Sequence, residues 1–131
     1  MPKNIIVCTD GTWNHPSAAD LASPLARARR AGHQITGALV TELAFDGDAG
    51  ALEAVTRMGE HLGVGLAGLI NLLNPEVVVI GGGVIAAGDL LLDPARRVVA
   101  ERALTPSRDV ARIVPARYGA ESGMLGAAVL A

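Results

Sequence analysis

One cysteine and three aromatic residues in 131 positions set the first limits on this chain. A lone thiol, Cys8, cannot close an internal disulfide, so a reducing cytoplasmic home is expected and packing must hold the fold together. With aromatics at 2%, the core has to be built from Ala, Val, Leu and Ile, as in closely packed α/β layers. Positive charge is scarce too: the net charge is −2 and no basic run exceeds Arg29-Arg30 or Arg96-Arg97. That leaves no electrostatic footprint for nucleic acid. No stretch reaches the roughly 18 unbroken apolar residues of a membrane span, and the apolar run in MPKNIIVCTDG is too short for a secretory leader. No membrane partner is expected. His15, His33 and His61 are scattered along the chain, and with one cysteine they offer no metal-ligand spacing.

What is present is enough apolar sequence, 50% of residues, for one ordinary domain. NIIVCT (residues 4–9) reads as a buried strand closed by Asp10-Gly11, followed by a Trp-containing loop, TWNHPS. An Ala-rich helix is expected between Ser17 and Arg30, its start delayed by Pro24 and its end set by Gly32. ITGALVTELAF (residues 35–45) fits a helix better than a strand. Asp48 is placed to cap a long helix over residues 49–73, because its carboxylate can accept an orphan N–H of the first turn. Gly59, Gly63, Gly65 and Gly68 each weaken that helix by about 1 kcal/mol relative to Ala, so close approach of another backbone is expected, centred on residues 63–68. Asn74-Pro75 stops the helix. A strand over residues 76–80 should be buried on both faces. Two helical segments then follow, over residues 89–92 and 94–104, the second opening on Pro94. Residues 112–116 predict a strand and residues 121–131 a terminal helix.

The stretch NPEVVVIGGGVIAAGD (residues 74–89) raises the functional question. Gly81, Gly83 and Ala86 satisfy G-x-G-x-x-A directly after a strand, the form that cradles a pyrophosphate. A dinucleotide site also needs an acid about 20 residues on, at the end of the next strand. Glu101 has that spacing but falls inside the expected helix. No Gly-Lys-Ser or Gly-Lys-Thr follows the glycines, which rejects a P-loop. No G-x-S-x-G exists either, Ser122 having the wrong spacing.

From about Leu21 to Ala131, the segments ITGALVTELAFDGDAGALEAV, LGVGLAGLINLLNPEVVVIGGGVIAAGDLLLDPARR, ERALTPSRD and IVPARYGAESGMLGAAVLA resemble, in order, the tail of bacterial ROK family glucokinases. That family includes sugar kinases and sugar-responsive repressors. The resemblance implies an α/β fold, half of an actin-like, hexokinase-like (ribonuclease H-like) ATPase, with ATP and sugar in the cleft between two lobes. It implies that Gly81, Gly82 and Gly83 lie on the adenosine side of a nucleotide, where a Cβ would collide with the purine or ribose. ATP with Mg2+ is the cofactor so implied.

The family's Asp-x-Gly-Gly-Thr phosphate loop, catalytic Asp in a Gly-His-Asp-like setting and cysteine-rich zinc segment do not occur in these residues. Asp10-Gly11-Thr12 is a faint echo of the phosphate loop. Residues 3–14, KNIIVCTDGTWN, instead resemble the start of an uncharacterised α/β-hydrolase-like family. The expected organisation is residues 1–16 of different apparent origin followed by a ROK-like lobe, 17–131; a fusion, a misjoined frame or a truncated gene would each account for it. Candidate bases are Asp46, Asp48, Asp89, Asp93, Asp109 and Glu121, of which Asp48, Asp89 and Asp93 sit where helix caps belong. None inherits the catalytic role by position, so the chain alone is expected to be inactive. Nucleotide binding remains possible, sugar binding is not expected without the other lobe, and uncovered apolar surface predicts a homo-oligomer.

Overall fold

The computed structural model describes residues 4–9, 24–32 and 34–118, together with Ala128. In order, these form strand β1 (Asn4–Thr9), helices α1 (Pro24–Arg30), α2 (Gly37–Phe45) and α3 (Ala49–Leu73), strand β2 (Val77–Gly82), a 3-10 turn (Gly83–Ala87), helices α4 (Asp89–Arg102) and α5 (Ser107–Val110), and strand β3 (Arg112–Pro115). The three strands form one parallel sheet in the order β1-β2-β3. The expected Asp10-Gly11 turn, the Trp-containing loop, the helix expected from Ser17 as far as Pro24, and the terminal helix of residues 121–131 lie outside the described residues.

Local signals account for most element ends. Helix α1 opens on Pro24 and stops at Gly32, whose φ is +74°. The α2 start is capped by Thr36, whose side chain accepts from the Leu39 N–H. Asp48, itself buried, caps α3 by accepting the Ala51 N–H at 2.8 Å. Asn74 closes α3 in the left-handed conformation at φ 47° and donates its N–H to the Ile70 carbonyl, after which Pro75 cannot continue the helix.

Helix α3 is the spine. One end packs Leu66, Ala67 and Ile70 against Val78 and Ile80 of β2, Leu92 and Val99 of α4 and Ile113 of β3. The other end packs Ala51 and Val55 against Val40 and Ala44 of α2, Val84 and Ala87 of the 3-10 turn and Leu91 of α4. Each large aliphatic side chain so buried contributes on the order of 1.5–3 kcal/mol. The close helix approach comes one turn earlier than expected. A Cβ on Gly59 would strike the Leu91 carbonyl oxygen and the Pro94 ring, and one on Gly63 would strike the Ala95 carbonyl oxygen, whereas Gly65 and Gly68 face open space.

Three further expectations are corrected. The segments over 89–92 and 94–104 are a single helix, α4, with Pro94 inside it. Pro94 forfeits one hydrogen bond, but its ring fills the space that Gly59 leaves vacant, and burial of Leu91, Leu92, Ala95 and Val98 keeps the helix continuous. Strand β2 runs on to Gly82 rather than stopping at Ile80. It is also not buried on both faces, since Val78 and Ile80 are fully covered by the helices while Val77 and Val79 are only half-buried.

The outer edge of β3 is managed by an arginine. The Arg112 and Ala116 N–H groups bond to β2-side carbonyls of Glu76 and Ile80, so residue 113 turns its backbone groups to the edge that pairs with no further strand among the described residues. There Arg96 of α4 donates Nε and Nη2 to the Ile113 carbonyl at 3.4 and 3.3 Å, while Nη1 pairs with Asp89 at 2.8 Å and Asp93 at 2.7 Å. Burial pulls the guanidinium pKa down, but the hydrogen bonds and charges of the two aspartates outweigh it and leave it raised. A short strand ending in proline, with a charge seated on its free carbonyl, is a poor template for edge-to-edge pairing.

Candidate functional site

The glycines of β2 stand at the carboxyl end of the sheet, the end at which open parallel α/β sheets hold ligands. Gly81 and Gly82 finish the strand, opposite Cys8 and Thr9 of β1. Gly83 opens the 3-10 turn. They are therefore a strand end leading into a helical turn, and their three backbones differ. Gly81 is buried. Gly82 has φ 91° and ψ 178°, a region essentially restricted to glycine. Gly83 is exposed, with nothing within 4 Å of the position a Cβ would occupy.

The turn is anchored from behind. Val84 and Ala87 are buried among α2, α3 and α4, so the pattern VIAA fixes the back of the turn while Gly83 and Ala86 look outward. Gly88, at φ 55°, then starts α4 with no side chain capping its first turn. Bare N–H groups at a helix start favour negative charge nearby. The arrangement is an open shelf with a backbone floor beside a helix N-terminus.

The candidate carboxylates do not gather there. Asp48 is the α3 cap. Asp89 and Asp93 were both placed by sequence at helix caps; Asp89 is instead the first residue of α4 and Asp93 lies in its interior, and both pair with Arg96. Asp109 accepts from Arg108 at 3.3 Å. Asp46 is exposed at the end of α2, and Glu121 lies outside the described residues. Glu101 is indeed within α4, paired with Arg97 at 3.5 Å, which removes the dinucleotide alternative. The residue missed by sequence reasoning is Arg96, although its i+3 and i+7 spacing from Asp93 and Asp89 was legible. Among the described residues no group of three or more His, Cys, Asp and Glu could hold a metal ion, and no helix is long and apolar enough to cross a membrane.

A family model described as "ROK family" matches residues 18–131. The chain belongs to the ROK family. It is 43% identical over 79 residues to a glucokinase of Halalkalibacterium halodurans, a match covering 60% of this chain and 24% of that protein. Among solved structures, a ROK family glucokinase from Streptomyces griseus, in complex with glucose and AMPPNP, superposes with a TM-score of 0.68 at 35% identity, over 74% of this chain and 31% of that one. A ROK family transcriptional regulator, a homolog of the E. coli MLC protein, gives 0.73 at 29% identity over 86% of this chain and 27% of its own. The ROK chain described here thus spans about a quarter to a third of the length of the relatives it matches. Its α/β architecture is a portion of the hexokinase-like, actin-like ATPase fold.

Proposed function

We propose that this ROK chain is the nucleotide-holding portion of a glucokinase-like sugar kinase, with the adenosine side of ATP resting on Gly81, Gly82 and Gly83. The observation that carries this is the open shelf at Gly83, beside the glycine-only backbone of Gly82, at the ligand end of a parallel sheet. The bound AMPPNP and glucose of the Streptomyces griseus relative support it. Mg2+ would arrive on the nucleotide's phosphates, since magnesium commonly binds through few protein ligands and substrate oxygens. Such chemistry fits a cytoplasmic protein.

Phosphoryl transfer further requires a base for the sugar hydroxyl and charge stabilisation around the γ-phosphate. Asp48, Asp89, Asp93 and Asp109 are committed to a cap or an ion pair. Four of the six candidate bases are thus committed, and the family's phosphate loop and catalytic Asp do not occur in these residues; the proposal is nucleotide binding without turnover by this chain alone, residues 1–16 being a segment of separate origin joined to the ROK-like lobe. Val64, Gly65, Gly68 and Leu72 form an exposed stripe on α3, which supports self-association; light scattering that finds a strict monomer at all concentrations would contradict that part.

Isothermal titration with Mg-ATP and with glucose, with and without a supplied ROK N-terminal lobe, tests the function. Saturable ATP binding that Gly83→Leu abolishes is expected; no ATP binding even in the complemented protein overturns it. The regulator's higher TM-score and coverage favour a second reading, a repressor-derived module whose glycines serve packing. Under it, substitutions at Gly81 to Gly83 shift the melting temperature and leave ligand affinity unchanged.

A further inference from the structure

The carboxyl end of the sheet carries a second feature beside the glycines. The Ala116 N–H donates to the Ile80 carbonyl at 2.8 Å and closes the β2–β3 ladder, whose final pair is Ile80 with Pro115. Gly83 lies three residues beyond Ile80, and Tyr118 lies three beyond Pro115. Strands so paired run about 4.8 Å apart. Two segments therefore leave the sheet side by side at its ligand end: the 3-10 turn that Gly83 opens, and the turn formed by Arg117 and Tyr118. The Arg117 guanidinium carbon stands over the Tyr118 ring, 5.8 Å from its centroid, within cation–π range. One face of the ring is engaged by that cation. Tyr118 is nevertheless 56% exposed and belongs to neither core cluster, so packing does not account for an aromatic residue here.

We propose that Tyr118 is the base-stacking wall of the nucleotide site, with Arg117 as the positioning residue that holds its ring. The inference rests on the reading of Gly81 to Gly83 as the shelf under the adenosine side of ATP. A floor of bare backbone allows close approach of a nucleoside but offers no surface that gains from a flat base. An aromatic ring does, and stacking a base on one is worth on the order of tenfold to a hundredfold in affinity. Arg117 keeps the ring in one orientation, so less side-chain freedom is lost on binding. Every base has a π face. The ring therefore favours a base-bearing ligand over a bare polyphosphate and does not choose strongly among bases.

Tyr118 is the one tyrosine of the chain, so incorporating 3-fluorotyrosine gives a single fluorine NMR resonance. The full chain so labelled, alone and with a supplied ROK N-terminal lobe, would be titrated with Mg-ATP, adenosine and magnesium tripolyphosphate. Saturable shifts with ATP and adenosine, and none with tripolyphosphate, are expected. By isothermal titration, Tyr118→Ala should weaken ATP binding about tenfold or more, while Tyr118→Phe, which keeps the ring, should restore it. Arg117→Gln should move the fluorine resonance of the free protein and weaken ATP by less than Tyr118→Ala does; an unmoved resonance overturns its positioning role. ATP binding without a fluorine shift, or Tyr118→Ala binding within twofold of the parent while Gly83→Leu has lost ATP, overturns the assignment and leaves the shelf in place. ATP binding that survives Gly83→Leu but not Tyr118→Ala overturns the shelf and keeps the ring. No ATP binding by the complemented protein overturns both.

Discussion

A Cβ on Gly63 would lie 2.6 Å from the carbonyl oxygen of Ala95, and Gly63 therefore sets how closely α3 and α4 approach. The two helices share both core clusters, and their outer rims are clasped by Arg97 and Glu60 at 2.6 Å. Gly63 and Gly59, where a Cβ would strike the Leu91 carbonyl oxygen, together set the spacing of these two helices.

Alanine at Gly63 should destabilise the protein by about 1–3 kcal/mol, because the added methyl meets backbone that cannot rotate away. Alanine at Gly65, which faces open space on the same helix, should stabilise it by about 0.5–1 kcal/mol through helix propensity. Urea unfolding of the two variants measures the difference. Equal effects would mean that helix propensity, and not contact with α4, decides both positions.

Asp48→Ala should cost about 1 kcal/mol, the usual loss for an N-cap, while Asp48→Asn keeps an acceptor for the Ala51 N–H and should stay within a few tenths of the parent. Thermal unfolding of the pair checks this.

Replacing Arg96 by Met keeps the aliphatic stem and removes the guanidinium from the Ile113 carbonyl. The expected loss is about 0.5–1.5 kcal/mol, at the lower end because the ion pairs are solvent-screened, with faster aggregation through the uncapped β3 edge. The sign with pH follows from the raised pKa. A group whose folded pKa lies above its unfolded value contributes fully below the unfolded pKa and loses that contribution as pH rises through the folded one. For an arginine that window is strongly alkaline, so the loss measured at pH 6 and at pH 9 should be the same.

At the glycine shelf two neighbouring substitutions should separate. Gly82→Ala forces a side chain into a backbone region at φ 91° and should cost about 1–3 kcal/mol of stability. A Cβ at Gly83 meets no atom, so Gly83→Leu should leave stability near the parent's while lowering ATP affinity tenfold or more. Calorimetry of both variants reads the two effects apart.

The sequence by itself determined what local chemistry controls. Asp48 before an Ala-rich run, Asn74-Pro75 after it and Gly32 after Arg30 each mark a helix end through an acceptor, a fixed φ or a missing Cβ. The three strands, helices α2 and α3 and the family resemblance of the later segments were legible in the same way, whereas the 3-10 turn and α5 were not. Tertiary structure decided what depends on which atoms meet. Pro94 predicts a helix break in sequence, but the space at Gly59 receives its ring and α4 runs through it. Gly59 and Gly63, and not Gly65 and Gly68, lie on the face of α3 that meets α4. Asp89 and Asp93 resembled caps from their places before expected helical segments; their i+7 and i+3 spacing from Arg96 was local, whereas the contact of Arg96 with the Ile113 carbonyl 17 residues away was not. Side-chain partners across such distances are set by burial and packing direction, and no local pattern encodes them.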